Sequence, residues 1–98
     1  IFHKLVPAST GIGLGNSNEA GVIAEALAVQ PINGPINISK VVSPMQCEAL
    51  DYKSSFSRAV VVKDSDHERM YVSGTASIAP DGRTVHLNDT ARQIELTM

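Results

Sequence analysis

Between Arg69 and Ile78 the chain reads RMYVSGTASI, and polar and apolar positions alternate there with the two-residue period of a β-strand. Met70, Val72, Gly74, Ala76 and Ile78 fall on one side, and Tyr71, Ser73, Thr75 and Ser77 on the other. The first side suits a core. The second is a row of uncharged hydroxyls, where a solvated sheet face usually carries Lys, Glu or Arg. Gly74 lets another group come close to the backbone. This polar face is expected to look into a ligand site or a subunit interface, the plain alternative being a mildly polar sheet face.

The neighbouring pattern predicts partners for that strand. Phe56 to Lys63, FSRAVVVK, is a second strand rich in Val. The polar connection DSDHE, residues 64–68, makes the two an antiparallel hairpin. Pro80-Asp81-Gly82 is a turn signal, and Arg83 to Leu87 would be the third strand of a meander. Asn88-Asp89 has the chemistry of a helix N-cap, followed by an apolar stripe of Ala91, Ile94 and Met98.

Upstream, residues 36–42, INISKVV, read as a strand that Ser43-Pro44 ends, and MQCEALDY follows irregularly. Residues 20–30, AGVIAEALAVQ, satisfy two patterns. Helical spacing collects Ala20, Ile23, Ala24, Leu27 and Ala28, and propensity favours a helix. Strand alternation places Ile23, Leu27 and Val29 with Glu25, opposite Val22, Ala24, Ala26 and Ala28. Pro31, Gly34 and Pro35 end the element in either case. Residues 9–18, STGIGLGNSN, read as a tight turn, because Asn16 stands where a dinucleotide fingerprint needs its third Gly. Ile1 to Ala8 reads as a short extended arrival closed by Pro7.

The chain has 98 residues, enough for one small domain. At 43% hydrophobic and 18% charged it belongs with folded rather than disordered chains. Aromatics are 4%, so Ala, Val, Ile and Leu must build the core. A net charge of −2 gives no footprint for nucleic acid, and no apolar run is long enough to span a membrane. The lone Cys47 excludes an internal disulfide and suits a reducing cytoplasm; it is expected to be a buried or edge thiol rather than a nucleophile. The chain starts without Met and its last helix has no closing element, so it is expected to be a piece of a longer protein.

His3, His67 and His86 lack metal-ligand spacing, so neither a metal nor another cofactor is expected. His86, three residues from Asp89, is a candidate base or simply a half-buried His. Asp64, Asp66 and Glu68 crowd a hairpin tip, where carboxylates usually form a solvated turn. Arg58 beside Ser57 has the chemistry to hold a carboxylate bidentately, its commoner fate being a solvent-facing or interface Arg.

FSRAVVV, YVSGTASI, PDG, and Asp89 with Gln93 at the head of a helix together resemble the first half of the Rid (YjgF, endoribonuclease L-PSP) superfamily domain. A longer likeness runs in order from Val6 to Met98 through VPASTGIGLGN, the Ala/Val/Leu stretch, Ile-Asn-Ile, SPMQCEALDY and SFSRA. It is similar to the opening of the C-terminal domain of chorismatases. SGTASI and SFSRA are the specific parts.

The resemblance implies an α+β fold of the chorismate-mutase-like Rid type, an antiparallel or mixed sheet backed by helix, incomplete at the C-terminus. Residues 1–50 would be an N-terminal extension and residues 51–98 the first half of a Rid-like domain. It implies a strand at 20–30, a cytoplasmic homotrimer, and ligand clefts between subunits lined here by Phe56, Arg58, Ser73, Gly74 and Thr75. The implied activity is enamine or imine deamination of a small carboxylate-bearing metabolite. The alternatives are chorismatase-like hydrolysis or lysis of chorismate, and a non-catalytic trimeric binding or assembly domain. Phe56 stands where the small Rid proteins commonly have Tyr, and the Tyr-Gly-Pro segment of chorismatases is missing between Tyr52 and SFSRA. The family's substrate-gripping Arg and water-positioning Glu belong to the half expected after Met98, so no catalytic residue is assigned.

Overall fold

Three consecutive valines, Val60 to Val62, hold the centre of the molecule because branched side chains suit a pleated, half-buried surface. In the computed structural model, which describes residues 5–98, they lie on the middle strand of an antiparallel sheet. The strands are β1 (Asn37–Val41), β2 (Ala59–Lys63) and β3 (Glu68–Val72), in the order β1-β2-β3. A 3₁₀ turn covers Ala49–Tyr52, and one helix, α1, covers Thr90–Thr97. The chain is therefore α+β. His3 and the start of the predicted extended arrival lie outside the described residues.

The expected hairpin is present. Val61 pairs with Met70 and Lys63 with Glu68, while Ser39 flanks Val61 from the other side. Asp64 closes the connection by accepting bonds from the backbone N–H groups of Asp66 (2.7 Å) and His67 (2.9 Å). The Pro80-Asp81-Gly82 turn also forms, with Gly82 at φ 84 donating to the Ala79 carbonyl. Asp89 caps α1 by accepting from the Arg92 N–H at 3.1 Å.

Four expectations need correction. The strand predicted over 69–78 stops at Val72. Beyond it the Gly74 N–H is taken by the Thr10 hydroxyl and the Ser73 hydroxyl accepts the Ser9 N–H, so side-chain bonds replace the ladder. Its two sides are also reversed. Ser73 and Ser77 are 5% exposed, while Met70 and Val72 are 60% and 67% exposed, because other segments of the chain bond to the hydroxyls of Ser73 and Ser77 and among the described residues Met70 and Val72 stay uncovered. The predicted third strand at 83–87 shrinks to one bridge, Ile78 to Thr84. The strand favoured at 20–30 is absent, and so is a helix: those residues are exposed and irregular. In the structure they pair with neither outer edge of the sheet, and an isolated helix of that length is marginal.

The core sits on one face of the sheet. Cross-strand register puts Lys40, Val60 and Tyr71 on that face. The Gln46–Tyr52 stretch lies over it, with Ala49 fully buried and Glu48 reaching the Lys40 ammonium at 3.4 Å. The expected backing helix is not there. α1 touches no strand and exposes Ile94 and Met98; with the Ser43–Gln46 loop it borders a groove of 550 Å³ instead.

Candidate functional site

Arg58 immediately precedes β2, and strand alternation sends its side chain to the covered face with Val60. The residue is only 6% exposed. Its Nε and Nη2 donate to the Cys47 carbonyl at 2.9 and 2.8 Å, and Nη1 donates to Thr75 Oγ1 at 2.7 Å. Thr75 passes its own proton to Gln46 Oε1 at 3.0 Å, and Gln46 Nε2 donates to the Ala76 carbonyl at 2.8 Å. The rings of Tyr52 and Phe56 lie 5.3 and 5.9 Å from the guanidinium carbon, within range of a cation–π contact.

All of these partners are neutral. Among the described residues no carboxylate pairs with Arg58. A guanidinium carries five N–H donors, and the bonds above use three, so two remain. The cluster is thus a desolvated cation, fixed in orientation and framed by two half-buried aromatic rings, with donors to spare for an oxyanion.

The structure brings together Phe56, Arg58 and Thr75 of the residues expected in a ligand cleft. Ser73 and Gly74 serve elsewhere. Ser73 Oγ donates to the Ser57 carbonyl at 2.5 Å and accepts the Ser9 N–H at 2.9 Å. Gly74 donates its N–H to Thr10 Oγ1 at 2.7 Å. Ser57 bonds back through its N–H to the Pro7 carbonyl at 3.0 Å and through its hydroxyl to the Val6 carbonyl. Residues 6–10 therefore lie across the hydroxyl wall as a strap, and Gly74 is needed there: a Cβ would come 2.8 Å from Thr10 Cγ2.

Gln46, Cys47 and Tyr52 are site residues that sequence reasoning missed. They lie in SPMQCEALDY, which has no period, and the Cys47 contribution is a backbone carbonyl that residue type does not announce. Tyr52 carried the only readable signal, being one of the chain's few aromatics. Beside the cluster, both Glu48 carboxylate oxygens are buried without a hydrogen bond and rely on the Lys40 charge.

His86 occupies a second station. Its Nδ1 lies 3.0 Å from Ser77 Oγ, and its backbone is held at φ 58, a region that non-glycine residues seldom adopt. Its carbonyl accepts from Gln93 Nε2 at 2.8 Å and from the Asp89 N–H at 3.1 Å. It is not on a strand, and it lines the groove beside α1 with Gln46, Arg92 and Glu95. Ser77 is absent from that lining, so the hydroxyl orients the imidazole and is not presented as a nucleophile. No three His, Cys, Asp or Glu side chains gather into a metal site among the described residues, and no helix there is long and apolar enough to cross a membrane. The chain matches no protein-family model, no curated protein and no solved structure.

Proposed function

We propose that this chain is a Rid-type module that binds a small carboxylate-bearing metabolite at the Arg58 cluster. The single observation behind this reading is the buried Arg58 guanidinium with no acidic partner among the described residues. A desolvated cation held only by neutral acceptors leaves its charge uncompensated, and a ligand carboxylate supplies the missing charge together with two hydrogen bonds. Phe56 and Tyr52 would stack on the ligand's unsaturated part. In the complete protein the same anchoring would serve hydrolysis of an enamine or imine, a reaction that depends on orientation and a placed water more than on a strong nucleophile. The resemblance adds a cytoplasmic, trimeric assembly to the proposal, without nucleic acid or membrane as partners.

Isothermal titration with pyruvate tests it. Saturable binding is expected, weakened about tenfold or more in Arg58→Gln, since a charge-assisted bidentate contact is worth upwards of ~1.4 kcal/mol. Thr75→Val, which keeps the charge, should weaken binding less. Wild-type affinity retained in a folded Arg58→Gln would sink the idea. Chorismate titrated alongside separates the chorismatase-like reading: preference for the cyclic enol-pyruvyl acid would favour it. The large exposed apolar surface favours a second reading, a non-catalytic assembly domain, which predicts association without binding of either acid.

A further inference from the structure

We infer that residues 20–30 are an exchanged strand, which pairs with the open edge of β1 in a second copy of this chain. The inference deepens the assembly part of the proposed function by naming its contact, and it is independent of any ligand at Arg58.

Three observations carry it. The first is area. A folded protein of 10.4 kDa exposes ~5,400 Å² by the scaling of surface with mass, whereas this chain exposes 8085 Å². The surplus, about 2,700 Å², exceeds the ~800 Å² per partner of an ordinary interface and falls in the obligate range.

The second is pattern. Residues 21–30 make no backbone–backbone hydrogen bond among the described residues, and every side chain there is exposed, including Val22, Ile23, Leu27 and Val29. The stretch alternates Ile23, Glu25, Leu27 and Val29 on one side with Val22, Ala24, Ala26 and Ala28 on the other. Among the described residues both outer strands of the sheet keep an unpaired edge. β3 opens with the charged pair Glu68-Arg69, which guards an edge, while the one charge on β1, Lys40, is tied to Glu48 on the covered face. Beside β1, Ile23, Leu27 and Val29 would extend the bare side of the sheet that carries Val41, Val61, Met70 and Val72. The small Ala side would meet the covered face.

The third is the connection. Residues 31–35, PINGP, join the stretch directly to β1. Prolines at both ends fix φ there, while Asn33 and Gly34 between them, Gly34 at φ 134, let the chain bend. In the structure the stretch stays off its own β1. A short hinge beside an unsatisfied strand and an unsatisfied edge is the arrangement that exchange between copies completes.

Light-scattering mass and amide hydrogen exchange on the 98-residue chain test this together. The expected result is a closed oligomer in which residues 22–29 and 37–41 are protected. Ala26→Pro, which removes a ladder N–H, should cut the mass to that of one chain and abolish protection at 22–29. Should that variant not fold, a synthetic peptide of residues 19–31 added to the wild type must dissociate the oligomer. An oligomer whose residues 22–29 exchange freely overturns the exchange and leaves assembly standing. A monomer with 22–29 protected places the strand on its own β1 and also overturns it. A monomer with 22–29 unprotected overturns exchange and assembly both.

Discussion

Arg58, just before β2, and Gly74, just beyond β3, come to opposite uses. Arg58 keeps a full charge in a nearly dry place because the Cys47 carbonyl and the Thr75 hydroxyl meet it with good geometry. Gly74 is defined by what its missing Cβ permits, the approach of Thr10. Gly74→Ala should therefore break the strap bond from Gly74 N–H to Thr10 and destabilise by about 1 kcal/mol. In a Thr10→Ser background, where the crowding methyl is gone, the same change should cost less, with a coupling of ~0.5 kcal/mol or more. Urea unfolding of the four proteins measures the cycle, and strict additivity would mean that the strap does not bear on Gly74.

Among the elements, the turns depend on carboxylates more than the strands do. Bonds from the backbone N–H groups of His67 and Asp66 hold Asp64 below its ordinary value of 3.8. Asp81 is held below the same value by the backbone and then the side chain of Arg83, whose Nε lies 2.7 Å from it. A carboxylate whose folded pKa is depressed contributes stability that is fully present above the unfolded value and lost as pH falls through the folded one. Stability should accordingly be flat on this account above about pH 5 and decline as pH falls through 3.8 and below. The double variant Asp64→Asn with Asp81→Asn should show a shallower decline between pH 5 and pH 2, followed by urea midpoint. An unchanged slope would assign acid sensitivity to other groups.

The whole molecule is under-buried for its size. Its radius of gyration is 15.9 Å, against ~12.6 Å for a compact chain of this length. Among the described residues the buried apolar ones are Ala49, Ala59 and Val60, too few to offset much of the chain entropy lost on folding. Stability should therefore come largely from association, and Tm should rise with protein concentration by mass action. Differential scanning calorimetry over a hundredfold concentration range reads this directly. A constant Tm would show that the chain's own core suffices.

Local chemistry determined the parts of this protein that depend on neighbours a few residues away. The Val-rich strand and its hairpin, the Pro-Asp-Gly turn and the Asp89 cap all formed as the sequence predicts, because propensity, φ restriction and short-range hydrogen bonds act within a single turn of chain. Arg58 was a candidate by its residue type, whereas Phe56 and Thr75 were named through the family resemblance. The destination of each face was not. Alternation at 69–78 reports that two sides differ, but burial depends on what arrives over them, and here the Gln46–Tyr52 stretch and the strap at residues 6–10 arrive over the hydroxyls. Residues 20–30 fail as a predicted strand for the same reason, because pairing is a property of two edges and the sequence of one segment specifies only its own. Tertiary structure alone decided that Arg58 lies buried beside Cys47 and Thr75 and that Ser73 and Gly74 bind the chain itself, because contacts between residues distant in sequence are set by the packing of whole segments.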